Sequence, residues 1–291
     1  MKRASGITLI IISAATFGTL AIFGRFAYAN GLDTITFLFL RFFFAAILLA
    51  LLMVFRREPL PRGRILGMLI LMGALGYAAQ AFTYLSAIKY ASAGLVALLL
   101  YLYPTFVVIL SAIFLHEKVT RIKVIALVLA LAGTTFTVGP AGGQWKGAVL
   151  AIASALIYSV YIVVGSKVMK HVSAIQSSTV IFASAGVVYG VMILVNGYQL
   201  PTSESGWLAV FGTVIFATVI PVVTFLAGLE RIGPSNAALL STLEPVVTVV
   251  LAALLLDEQL EPVTLLGGAL IITAVVILSR AELKQSVPAD G

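Results

Sequence analysis

Residues 101–118 read YLYPTFVVILSAIFLHEK, and residues 242–259 read TLEPVVTVVLAALLLDEQ. Each is an apolar run that carries proline near its start and glutamate at its end, and one constant displacement carries Pro104 onto Pro245 and Glu117 onto Glu258. The same displacement lays Gly6 on Gly147, Ser13 on Ser154, Phe17 on Tyr158 and Gly24 on Gly165. A register that never drifts marks an internal duplication, which must be found before any fold is assigned. The expected division is a first repeat over 1–141, a second over 142–282 and a polar tail over 283–291.

Working outward, the whole chain is of the same character. Of 291 residues 61% are hydrophobic and only 10% charged, with a mean hydropathy of +1.14. Soluble domains carry roughly 45–50% apolar and about 25% charged residues, so this composition reads as a polytopic membrane protein. About 20 apolar residues cross a bilayer as a helix. Breaker to breaker, ten stretches qualify, at about 6–28, 34–55, 65–88, 92–115, 121–139, 147–169, 175–196, 207–229, 234–256 and 262–279. The first follows Lys2 and Arg3 like a secretory signal, but it is long and has a counterpart in the second repeat, so it is expected to be retained. With the N-terminus inside, the inner loops and helix ends collect fourteen Lys and Arg residues, from Lys2 and Arg3 to Arg280 and Lys284. The outer side holds only Lys89 and Lys146, while Arg25 and Arg41 fall within spans. The positive-inside rule then puts both termini in the cytoplasm.

Five spans per repeat is an odd number, so the second copy must lie upside down relative to the first. The basic stretch Lys118–Lys123 faces in, and its counterpart with Asp257, Glu258 and Glu261 is acidic and faces out. Inverted repeats are a hallmark of secondary transporters, which bind substrate near the midplane between the halves.

Several exclusions follow. There is no cysteine, which removes disulfides, thiolate chemistry and Cys-ligated metal or cluster sites. His116 and His171 lie at helix ends, and no hydrolase motif accompanies them, so neither an enzyme nor a metal or haem site is expected. No phosphate-binding glycine loop is present, which argues against ATP-driven pumping by this chain. The +7 net charge follows membrane topology, not a nucleic-acid surface. No cofactor is implied, and the expected partners are the bilayer and a small-molecule substrate, with a monomer as the expected state.

Prolines in the fourth helix of each copy, His116-Glu117-Lys118 after the first and Asp257-Glu258-Gln259 after the second resemble the drug/metabolite transporter superfamily, EamA branch. The chain looks most similar to the bacterial inner-membrane exporters of amino acids, including aromatic ones. The resemblance implies an all-α basket of ten helices around a central cavity. It covers nearly the whole chain, and the cargo is its weaker implication.

Tyr77, Gln80 and Tyr84 share one helical face, and Ser154, Tyr158 and Tyr161 repeat the idea in the sixth span. Facing a cavity, such stripes supply aromatic walls and an amide that donates and accepts; facing a neighbouring helix, they are packing. Tyr101 and Tyr103 precede Pro104, and two residues apart they cannot aim at one ligand from a regular helix. Pro104 and Pro245 each remove a backbone donor, and the two matched breaks could shape a cavity and bend during transport, or be static kinks. Glu244 is the costliest residue, at mid-span, and could bind a substrate ammonium, carry a coupling proton or pair with Arg41. Arg41 could also attract a carboxylate or snorkel outward. The Gly186–Gly190 spacing permits close helix packing. These residues point to export of neutral, aromatic and other hydrophobic amino acids by alternating access. The alternatives are a same-fold exporter of drug-like cations or other metabolites, and a passive channel.

Overall fold

The computed structural model describes residues 2–87, 90, 99–138, 145–255 and 262–284. Lys89, the start of the fourth predicted stretch, Asp257, Glu258, Gln259, Glu261 and the end of the tail lie outside the described residues, as does the side chain of Arg25. The described elements are helical. They are α1 (Lys2–Phe17), α2 (Leu20–Ala29), α3 (Thr34–Phe55), α4 (Gly63–Leu71), α5 (Ala78–Ala87), α6 (Tyr103–Leu115) and α7 (Arg121–Val138). The second half gives α8 (Trp145–Val168), α9 (Ala174–Asn196), α10 (Glu204–Val214), α11 (Ile220–Ile232), α12 (Pro234–Leu240), α13 (Glu244–Leu255) and α14 (Pro262–Lys284).

Among the described residues six helices are long and apolar enough to cross a membrane, and Tyr103–Leu115 and Leu265–Leu278 are shorter apolar helices. Two of the six are interrupted by a π-helical turn, Met72–Tyr77 between α4 and α5 and Ile215–Val219 between α10 and α11. Large apolar side chains such as Phe55, Leu75, Leu194 and Leu208 point outward, which suits lipid and would be a liability in water.

Helices pack by repeat-related pairs. α3 lies along α9 and α7 along α14, each pair joining an element to its own counterpart in the other repeat, while α1 packs on α11 as α8 packs on α5. Close approach needs small residues, because between lipid-solvated helices van der Waals contact is the main attraction. A Cβ on Gly133 of α7 would stand 2.7 Å from the carbonyl oxygen of Gly267 in α14. The Gly186 to Gly190 face of α9 rests on Phe42, Phe43 and Phe39 of α3. The core between these layers holds the fully buried Phe42, Phe182 and Tyr189, with Phe42 stacked on Tyr189 at 5.7 Å.

Helix starts follow local chemistry. Asp33 caps α3 by accepting from the amides of Ile35 and Thr36 and from the Thr36 hydroxyl. Burial pushes its carboxyl up, but those hydrogen bonds outweigh it and hold the group below its ordinary value. Ser173 and Gln176 form a capping box at α9.

Candidate functional site

Pro104 and Pro245 occupy equivalent places, the first turn of α6 and of α13. Proline is pre-organised for a helix start, where its missing N–H costs nothing. The prolines therefore begin new helices where a kinked continuous one was expected. Tyr103 and Glu244 are the first residues of these helices, and they occupy the same position of the two repeats. Helix N-termini present partial positive charge, while the first amides here are taken up by the preceding turns, Thr105 and Phe106 donating to the Leu102 carbonyl and Glu244 to the Ser241 carbonyl.

The expected separation of Tyr101 from Tyr103 does not hold. Residues 101 and 102 form a turn, with the Leu102 amide donating to the Leu99 carbonyl at 3.3 Å, so the helical phase breaks between them. Both phenols lie within electrostatic reach of the Glu244 carboxylate, and so do Tyr77, Tyr84 and Tyr158. Tyr103 is buried, reaches the Ser241 hydroxyl and donates to the Ala238 carbonyl at 3.4 Å. Its ring meets Tyr158 edge-on at 4.9 Å. Tyr158 stacks on Tyr161 at 6.0 Å, and Tyr161 meets Tyr77 at 5.5 Å. Aromatic rings from both halves of the chain thus form one continuous wall.

The Tyr161 hydroxyl is buried without a hydrogen-bond partner, an arrangement that costs about 1–3 kcal/mol unless something supplies one. Glu244 is half-buried. Among the described residues its carboxylate makes no side-chain hydrogen bond and no ion pair.

Gln80 is tied across the interface. Its Nε2 donates to Ser154 Oγ at 3.2 Å, and that hydroxyl donates back to the Gln80 carbonyl at 3.1 Å. In the other half Ser13 Oγ donates to the Pro221 carbonyl at 2.8 Å. Ser13 and Ser154 are equivalent positions of the two repeats, and so are Gln80 and Pro221. Each bond is the other with the halves exchanged. Tyr84 sits beside the small apolar contact of Ala87 with Ala151.

Arg41 neither snorkels nor pairs with Glu244. It is buried, its Nε donates to Thr218 Oγ1 at 2.6 Å and its Nη2 to the Ala217 carbonyl at 3.0 Å. Those residues belong to the π-helical turn, where the widened ladder leaves a carbonyl to be satisfied from outside. Tyr189 does the same for the other interrupted helix, donating to the Ala78 carbonyl at 2.8 Å. Sequence reasoning also passed over Phe42, Phe182 and Phe225, which pack on Tyr77 and Tyr158. Phe225 carried a usable signal, since it is Tyr84 shifted by one repeat.

Comparison with known proteins agrees on the class of molecule. The model of the EamA-like transporter family matches twice, over residues 4–139 and 145–280, and one match is the other moved along by a single repeat. An uncharacterized transporter of Archaeoglobus fulgidus is 28% identical over 275 residues, covering 94% of this chain and 96% of that one. A protein of Streptantibioticus cattleyicolor named "probable terminal-alkyne amino-acid exporter" is 26% identical over 230 residues, covering 77% and 76%. The uncharacterized inner membrane transporter YedA of Escherichia coli is 26% identical over 247 residues, covering 83% and 80%. A crystal structure that is 22% identical superimposes with a TM-score of 0.85 over 95% of this chain and 99% of the other, which speaks to the fold alone.

Proposed function

The chain belongs to the EamA-like transporter family, and on that premise we propose that it is a secondary carrier exporting neutral amino acids, aromatic and other hydrophobic ones above all, across the inner membrane. The proposed layout is ten membrane-spanning helices in two inverted five-helix repeats, residues 1–141 and 142–282, with both termini in the cytoplasm. The exchange-related bonds of Ser13 and Ser154 support two halves that face each other about a shared axis. The one-sided distribution of Lys and Arg supports the orientation.

The observation that carries the cargo class is the clustering of Tyr77, Tyr84, Tyr101, Tyr103 and Tyr158 within electrostatic reach of the Glu244 carboxylate. A zwitterion with an aromatic side chain matches that surface. Glu244 takes the ammonium, the positive ends of the helices that start at Tyr103 and Glu244 favour the carboxylate, and the phenols, that of Tyr161 included, enclose the ring. Alternating access follows from two short helices that start at the site and can rock with their own repeats. The name of the Streptantibioticus relative adds support for amino-acid export.

The test is uptake of radiolabelled phenylalanine, threonine and a quaternary ammonium into proteoliposomes, each challenged with unlabelled competitors. Saturable phenylalanine flux with counterflow is expected, which a passive channel cannot give. Tyr77→Ala removes one ring of the proposed cargo enclosure, and the apparent affinity should fall by up to roughly tenfold, at about 0.5–1.5 kcal/mol for the lost aromatic pair. Gln80→Ala is expected to weaken flux as well. The lone carboxylate of Glu244 favours a second reading, export of drug-like cations; flux of the quaternary ammonium alone would establish it over the first.

A further inference from the structure

Away from the tyrosines, a polar cavity of about 380 Å³ opens where the start of α1 and the ends of α6 and α11 meet the starts of α7 and α12. Among the described residues its wall carries the cations Arg3, Lys118, Lys123 and Arg231 and the carboxylate of Glu117. That carboxylate is committed. Lys123 Nζ donates to its Oε2 at 3.1 Å, and a Cβ on Gly233 would lie 3.1 Å from its Oε1. Arg231 is steadied by one donor, Nη1 to Ser5 Oγ at 3.1 Å, and keeps others for a ligand. Asn236, also on the wall, donates from Nδ2 to the Ile232 carbonyl at 2.8 Å. The bond fixes which way the amide points, and its Oδ1 is buried with no partner. A buried acceptor without a donor is rare and calls for an explanation.

We propose that this cavity is a loading site for the backbone end of the cargo, taking the carboxylate between Lys118 and Arg231 and the ammonium on Asn236 Oδ1. The inference rests on the amino-acid reading above. Excess positive charge suits an oxyanion, and guanidinium and ammonium donors bind carboxylates with short, charge-assisted bonds. Among the described residues of the wall Ile232 alone is apolar, so the site grips what all amino acids share and leaves discrimination between side chains to the tyrosines. A captured zwitterion would then wait behind α12, whose seven residues are all buried and whose Ala238 carbonyl is held by Tyr103.

The test reads the site directly. The full chain in neutral-lipid nanodiscs is labelled with an amine-reactive ester, and the rates at Lys118 and at the distant Lys170 are followed by mass spectrometry. The probes are N,N-dimethylphenylalanine, which keeps a carboxylate and an N–H but cannot be acylated, N,N-dimethylphenethylamine, which lacks the carboxylate, and inorganic phosphate. At a concentration about tenfold above Kd, the zwitterion should slow labelling of Lys118 about tenfold and leave Lys170 unchanged. Arg231→Gln should remove the protection, and Tyr77→Ala should not. Absence of protection, or equal protection by the carboxylate-free amine, would overturn the proposal. Protection only by phosphate, or only in nanodiscs containing anionic phospholipid, would overturn it in favour of a phosphate site. Protection of Lys118 without amino-acid flux would sink the export reading and leave the site standing; flux with Lys118 unprotected would do the reverse.

Discussion

At Glu244 a carboxylate opens a helix of the proposed ninth span, where the helix start favours negative charge and a low dielectric would oppose it. A group balanced in this way, with no ion pair among the described residues, is suited to exchange a proton for a cargo ammonium. Glu244→Gln should therefore make phenylalanine flux independent of pH over the range in which the natural protein varies; a retained pH dependence assigns coupling elsewhere. Asp33, outside the spans, gives a stability effect of known sign. Its folded carboxyl titrates below the unfolded one because of the hydrogen bonds that cap α3. The stabilisation is present above the unfolded value, near 3.9, and is lost as pH falls from there through the folded value. Thermal melts in detergent should show the natural protein losing more stability than Asp33→Asn on acidification in that window. Asp33→Ala should lose about 0.5–2 kcal/mol at neutral pH. Glu244 was visible in the sequence by its cost at mid-span, whereas the role of Asp33 became plain only with the helix start that it caps. The fate of Arg41 was not visible, because its partners Ala217 and Thr218 lie in a turn whose widening no residue announces.

Among elements, helix boundaries were legible because breakers and charges bracket apolar runs, and α3, α9 and α7 begin and end close to where the sequence puts them. The π-helical turns were not, since one extra residue in a helical ladder leaves no trace in composition. Their cost is met by side chains from the partner pair of helices, Arg41 for one and Tyr189 for the other. The repeat made Ser13 and Ser154 equivalents without showing what they touch, as the acceptors lie far away in the chain. Ser13→Ala should destabilise by about 0.6 kcal/mol, typical of a hydrogen bond between membrane helices. Ser154→Ala should cost more, because it also removes the acceptor of Gln80 Nε2, and the two effects should add, as melts of the single and double variants would show. Equal losses would mean that the Gln80 amide bond carries no load.

For the whole molecule, the cysteine-free sequence makes topology directly measurable. A single cysteine at the exposed Tyr198 should react with an impermeant thiol reagent on intact cells, and one at the exposed His171 only after permeabilisation; the reverse pattern would invert the proposed orientation. Duplication makes much of the molecule its own template, down to the paired bonds of the two serines. One departure sits where the two short helices begin, with a phenol in one repeat and a carboxylate in the other. A carrier with identical halves would have two resting postures of equal energy, each the image of the other. Every position at which the copies differ, Tyr103 against Glu244 among them, would help to break that tie, so under the proposed mechanism the preferred posture, and with it the easier direction of the return stroke, is written into the mismatches between the copies.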